Sequence, residues 1–203
     1  MRRALQYVLV LLLMVNTTAG AAVISFTTDP FENSTALTTP GRQIVAGELF
    51  TAFNVATDVF AFDPSLFGIA GISFGNGLVA SLPTSGLNVI VLQDLDNDAN
   101  PATSFGAGNA ANLIADRVTA SGAGFFVYFN QGLALPRLVF STDLSDNTAD
   151  LKVLARLTNL TSSALPTFTA SNFAVLQVPE PSSLALLLIS FGGLVFASRR
   201  RGR

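Results

Sequence analysis

Residues 124–142 read GFFVYFNQGLALPRLVFST, and they carry the strongest fold signal in the chain. Residues 124–130 and 135–142 are two runs rich in aromatic and β-branched residues, the types that are enriched in β-strands. The turn-forming pair Gln131-Gly132 lies between the two runs. The pattern therefore predicts a β-hairpin joined at Gln131-Gly132.

Short extended runs punctuated by Gly, Pro, Asn and Asp continue on both sides of this hairpin. The triplet Gly75-Asn76-Gly77 predicts a second hairpin turn. The Ala-rich residues 110–119 favour a short helix, and the alternation of residues 113–118 leaves a strand as the alternative. About eight to ten short strands with frequent turns indicate a mainly β fold. We expect one antiparallel β-sandwich, with a jelly-roll-like arrangement as its variant. The strands are predicted at 23–28, 48–62 (two strands or one long bent strand), 69–74, 78–82, 87–92, 124–130, 135–142, 151–158 and 168–177.

Two of these runs show contrasting patterns. Residues 87–92, LNVIVL, are apolar at every position except Asn88, which predicts a strand buried on both faces. Residues 151–158 alternate instead, and a regular strand there would place one set of residues on a single face: Leu151, Val153, Ala155 and Leu157. The i, i+3, i+4 spacing of the same run leaves a helix as the alternative, although nothing caps it well.

The N-terminus has the three parts of a secretory signal peptide. Arg2 and Arg3 precede an apolar stretch from residue 8 to residue 15, and the small residues Ala19-Gly20-Ala21-Ala22 follow it. We therefore predict a signal peptide over residues 1–21, with cleavage after Ala21 or Ala22. An uncleaved N-terminal anchor is the alternative. The β-sandwich domain would then occupy residues 22–177.

The predicted domain is acidic although the whole chain is nearly neutral. Residues 22–177 hold five basic and twelve acidic side chains, a net charge of −7, whereas the full chain has a net charge of −2. Such a domain does not suit nucleic acid or an anionic membrane, since both are polyanions. We expect no nucleic-acid partner.

The absence of cysteine and histidine from all 203 residues excludes several chemistries. No disulfide can stabilise the domain. A Ser-His-Asp triad, a thiol nucleophile and a histidine-ligated metal are impossible. A hydrolase based on two carboxylates remains open.

One acidic loop has the spacing of a cation site. Asp94, Asp96, Asp98 and Asn100 place oxygen ligands at alternate positions, as Ca²⁺ sites do. The match to an EF-hand loop is partial, because Ala99 occupies the glycine position and Phe105 the position of the bidentate glutamate. The alternative is a solvated turn. A second acidic cluster could add ligands or form Asx turns: Asp143, Asp146, Asn147 and Asp150. Ca²⁺ is thus the one candidate cofactor.

The last 26 residues, 178–203, have three blocks in a fixed order. Val178-Pro179-Glu180-Pro181 comes first, and an apolar run follows that predicts a transmembrane helix over about 183–198. The uncharged core of this run, residues 184–197, is short for a permanent span, which usually needs about 20 residues. Basic residues close the chain and favour a cytoplasmic C-terminus: Arg199, Arg200, Arg201 and Arg203. A permanent anchor is the alternative to a removable signal.

The order of these blocks resembles the PEP-CTERM sorting signal of Gram-negative bacteria. The resemblance implies recognition by an exosortase-type membrane transpeptidase, with cleavage near the Pro179-Glu180-Pro181 motif. It also implies a precursor anchored in the inner membrane and a product at the cell surface or outside the cell.

These observations predict an exported, non-enzymatic protein. The resemblance implies a structural or adhesive role in the extracellular matrix or biofilm, with extracellular polysaccharide as a further partner. A carbohydrate-binding module is the first alternative; it would use exposed aromatics from the set Phe125, Phe126, Tyr128 and Phe129, which strand alternation otherwise assigns mostly to the core. A secreted carboxylate-based hydrolase is the second alternative.

Overall fold

The structure is a computed structural model that describes residues 20–100, 102–119 and 122–177. Ten strands and two helices occupy these residues. The strands are β1 (Val23–Phe26), β2 (Ile44–Val45), β3 (Leu49–Thr51), β4 (Val59–Phe62), β5 (Phe74–Gly77), β6 (Val89–Leu92), β7 (Gly124–Asn130), β8 (Leu135–Ser141), β9 (Leu151–Leu157) and β10 (Phe173–Val175). The helices are α1 (Pro64–Phe67) and α2 (Ala107–Arg117), with 3₁₀ turns at Val79–Ser81, Ser162–Thr167 and Ala170–Asn172.

The strands form a small sheet and a large sheet. In the small sheet β4 lies between β1 and β10. In the large sheet the order is β2, β9, β8, β7, β6, β5, and β3 also pairs with β9. The prediction of a mainly β fold is confirmed.

The prediction of an antiparallel sandwich is wrong for most strand pairs. Only β7–β8 and β8–β9 are antiparallel among the described pairs, and the small sheet is wholly parallel. The physical reason lies in the connections between strands. Two parallel neighbouring strands must be joined by a segment that crosses back over the sheet. Helix α2 supplies that crossover between β6 and β7. The large sheet is covered on both faces, as is typical of parallel strands.

One face of the large sheet packs against the small sheet through phenylalanines. Phe62 of β4 stacks on Phe125 of β7 with ring centroids 3.7 Å apart, and Phe53 stacks on Phe60 with centroids 4.2 Å apart. The opposite face packs against α2, which buries Ala110 and Ile114. The result is three layers: small sheet, large sheet and helix.

The β7–β8 hairpin, the buried strand β6 and the short helix α2 are all confirmed. The hairpin turn at Gly75-Asn76-Gly77 is wrong, because these residues lie inside β5 and pair in parallel with β6. A Cβ atom at Gly75 would lie 2.7 Å from Leu87 Cδ1, so a larger residue there would require the Leu87 side chain to move.

The predicted signal peptide and sorting tail fall mostly outside the described residues. Only residues 20 and 21 of the signal segment are described, and the predicted transmembrane helix at 183–198 is not. Within the described ranges, no helix has the length and apolar character needed to cross a membrane.

Candidate functional sites at the chain ends and in the polar clusters

The folded body continues up to the start of the sorting tail. The backbone N–H of Leu176, directly after β10, donates a hydrogen bond of 2.8 Å to the carbonyl of Phe62 in the central strand of the small sheet. Pro179 follows three residues later in the sequence. A transpeptidase acting near Pro179 would therefore work close to the folded sheet.

The residues predicted to carry the sorting signal lie outside the described part of the chain. They are Val178, Pro179, Glu180, Pro181, Arg199, Arg200, Arg201 and Arg203.

The described chain enters the small sheet at one end of β4 and leaves it at the other end. Val23 pairs with Val59 at one end of β4, and Val175 pairs with Phe62 at the other.

In the predicted calcium loop, the carboxylates bind backbone N–H groups. Asp96 Oδ1 accepts from Asn97 N and Asp98 N, at 2.7 Å and 3.2 Å. Asp98 Oδ1 accepts from Asn100 N at 2.9 Å. Asp94 Oδ2 accepts from Val79 N at 2.6 Å. These bonds are typical of successive Asx turns. Within the described residues, no group of three or more acidic side chains is arranged to hold a metal ion.

Calcium binding at this loop stays a prediction, and calorimetry tests it. If the loop binds Ca²⁺, titration of the exported protein should release or absorb heat, and Asp96→Ala should abolish that heat. Glu32→Gln, at an exposed glutamate, is the matched control. The absence of heat with the unmodified protein would refute the site.

The second acidic cluster also binds backbone groups. Asp143 Oδ1 accepts from Ser145 N at 2.8 Å, and Asp146 Oδ1 accepts from Thr148 N at 2.7 Å, as in Asx turns. Asp150 is buried, with 8% of its surface exposed, and it accepts from the backbone of Leu37 and Gln43 at 2.7 Å and 2.6 Å. Asp150 thus fixes the loop before β2 to the large sheet.

An ion cluster that sequence reasoning missed lies beside β3. Glu48 Oε1 contacts Arg137 Nη2 at 2.6 Å and Arg156 Nε at 2.5 Å. Burial alone would raise the pKa of Glu48, but backbone hydrogen bonds, the hydrogen bond from Arg156 and the charge of Arg137 together lower that pKa to about 2. Glu48 is 89 and 108 positions away from its partners, so no local pattern could reveal the cluster.

The aromatics singled out in the sequence are almost all in the core. Phe125, Phe126 and Tyr128 are fully buried, and Phe129 packs against the phenylalanine cluster between the sheets. Among the described residues Phe50 is the one strongly exposed aromatic, at 63%. The guanidinium of Arg156 lies 4.7 Å from the centre of its ring. No exposed aromatic row crosses the described sheet faces.

Two carboxylates line one cavity of the body. Asp116 of α2 and Asp146 line a concavity of about 240 Å³ that also contacts Ser145 and Asn147. The pKa of Asp146 is lowered, chiefly because its carboxylate accepts hydrogen bonds from the backbone and side chain of Thr148. A general acid working at neutral pH needs the opposite shift.

The comparison with known families supports one class for this chain, an exported, surface-sorted protein. The family model named PEP-CTERM protein-sorting motif matches residues 177–201. The chain therefore carries a PEP-CTERM sorting motif, which implies recognition by an exosortase and passage through a membrane. No curated protein and no solved structure matches the chain.

Proposed function

We propose that this chain is a non-enzymatic protein of the cell surface or extracellular matrix, with a structural or adhesive role in biofilm. The observation that carries the proposal is the match of residues 177–201 to the sorting motif, directly after β10. In the precursor, the apolar run at about 183–198, which is predicted as a transmembrane helix from the sequence, would anchor the body in the inner membrane. The terminal arginines then lie in the cytoplasm, and the body lies outside.

The lowered pKa values of five acidic side chains support a non-enzymatic role. Glu48, Asp58, Asp63, Asp96 and Asp146 all have pKa values below their usual range. A carboxylate-based glycosidase needs one carboxyl group with a raised pKa to act as the acid. These five carboxylates hold the backbone or arginines in place instead.

Polysaccharide binding is the second candidate function, and one surface favours it. Phe50 presents an exposed ring beside Arg156, whose side chain is 27% exposed. Two arginines against the single Glu48 leave a local excess of positive charge on an acidic body. A sugar carrying a carboxylate could place a ring face on Phe50 and its charge near Arg156.

The experiment for the main proposal uses the full chain in its own cells. A version that stops after Gln177 should be exported but lost from the surface and matrix fractions, and a deletion strain should form altered matrix. Equal surface retention of the truncated and full chains would contradict the proposal.

The binding candidate has a separate test. The exported protein is probed against arrays of acidic and neutral polysaccharides, with Phe50→Ala as the variant and Leu78→Ala, at another exposed apolar residue, as the control. Loss of binding to acidic polysaccharides in Phe50→Ala alone would support this surface. Equal behaviour of both variants would refute it.

A further inference from the structure

Asp58 is a buried carboxylate immediately before β4. It is 7% exposed. Its Oδ2 accepts a hydrogen bond of 2.8 Å from Asn54 N. Its Oδ1 accepts from Ala22 N at 2.9 Å and from Thr57 Oγ1 at 3.1 Å. The hydrogen bonds from the backbone of Asn54 and Ala22 lower the pKa of Asp58, so the buried group is charged at neutral pH.

No positively charged side chain compensates this charge within the described residues, where both ion pairs belong to Glu48. Buried carboxylates are normally paired with a cation or fully hydrogen-bonded, since burial of an isolated charge is costly. Asp58 therefore has donors around it but lacks a cationic partner among the described side chains.

Ala22 is held in one position relative to Asp58. Its carbonyl accepts a hydrogen bond of 2.9 Å from Val59 N, while its own N–H donates to Asp58 Oδ1. Val23, the next residue, begins β1 and pairs with Val59. The nitrogen of Ala22 is thus fixed 2.9 Å from a buried carboxylate oxygen.

The bond before Ala22 is also one of the two predicted cleavage positions. Ala19 and Ala21 supply the small residues that a signal peptidase requires before the cut. Residues 20–22 are exposed and precede the first strand. Cleavage after Ala22 would instead remove the residue that donates to Asp58.

We propose that the signal peptide is cut between Ala21 and Ala22, and that the new α-ammonium group of Ala22 forms an ion pair with Asp58 that fastens β1 to the small sheet. The step is a hydrolysis. Water breaks the C–N bond, its hydroxyl completes the carboxylic acid of Ala21, and its hydrogen goes to the nitrogen of Ala22. The acid loses a proton, and the amine takes one up at neutral pH. A neutral amide donor thereby becomes a charged donor, which forms a stronger hydrogen bond with a carboxylate.

Cleavage of the signal peptide would thereby stabilise the mature protein. β1 pairs with β4 and is one of the two outer strands of the small sheet. It contributes Ile24 and Phe26 to the core between the sheets. Fastening its first residue resists fraying of this strand after the signal peptide is lost.

The first test is the N-terminal sequence of the exported protein purified from its own cells, which should begin at Ala22. The second test compares this protein with a free and with an acetylated α-amino group. Acetylation should lower the melting temperature by about 2–6 °C. In Asp58→Asn the same acetylation should have little effect, because the charged partner is gone.

A third measurement covers the case in which Asp58→Asn does not fold. The rate of acetylation at Ala22 in the unmodified protein should be slower in the folded state than in urea. A mature N-terminus at any residue other than Ala22 would overturn the proposal. An α-amino group that reacts equally fast in both states would overturn it as well.

Discussion

At the scale of single residues, the acidic side chains of the described body mostly position the backbone. Asp63 accepts from Ser65 N at 2.9 Å and begins helix α1. Asp58 and Asp150 connect segments far apart in the chain. The Asx turns were foreseeable, because Asp and Asn bond locally to the backbone. The Glu48 cluster was not, because its partners meet only after the large sheet has formed.

The Glu48 cluster carries a prediction about stability and pH. Glu48→Gln leaves Arg137 and Arg156 without their counter-charge, and we expect it to cost about 2–3 kcal/mol of unfolding free energy at pH 7. The pKa of Glu48 is about 2 in the folded protein, whereas an unperturbed glutamate has a pKa of 4.5. The stabilisation is therefore present above about pH 4.5 and is lost as the pH falls through 2. The difference between the two proteins should therefore shrink in acid.

Urea unfolding at a series of pH values from 7 to 2 measures this effect. The control is Glu32→Gln, which changes an exposed glutamate. If Glu48→Gln were as stable as the unmodified protein at pH 7, the cluster would have no role in holding β3 against β8 and β9.

At the scale of elements, strongly patterned segments were predictable and strand directions were not. The β7–β8 hairpin follows from its residues and its turn. The parallel pairing of β5 with β6 depends on the chain crossing over, which residue patterns do not encode. Strand β9 shows a further limit. A bulge places Leu151 and Val153 on the α2 side but Ala155 and Leu157 on the phenylalanine side. Because both faces are buried, the alternation of residues 151–158 did not reveal it.

Gly124, at the start of β7, gives a prediction at this scale. A Cβ atom there would lie 2.5 Å from the carbonyl oxygen of Asn88 and 2.5 Å from Leu144 Cδ1. Because a backbone oxygen cannot move aside easily, Gly124→Ala should lower the unfolding free energy by about 1–3 kcal/mol.

Gly132→Ala in the β7–β8 turn is the matched control, since its added Cβ would meet nothing nearer than Asn130 Oδ1 at 3.6 Å. Its expected effect is within about 0.5 kcal/mol. Equal stability of the two variants in urea would contradict the described contact between β6 and β7.

At the scale of the whole molecule, the net charge of the body differs from that of the unprocessed chain. The body's net charge of −7 emerges only when the basic ends are set aside. The sorting motif could be found from the sequence because its blocks are contiguous and ordered. The three-layer packing could not, because it requires knowing which sheet face each phenylalanine meets. The structure adds that the body folds up to Leu176, so the predicted cleavage region adjoins a completed domain.

The most direct test of the central claim is the mass of the mature C-terminus in cells with and without exosortase. We expect the protein from exosortase-containing cells to end near Pro179-Glu180-Pro181 and to lack the arginines of the tail. In cells without exosortase the chain should extend to Arg203. An intact Arg203 in both kinds of cell would contradict the assignment of residues 177–201 as a removable sorting signal.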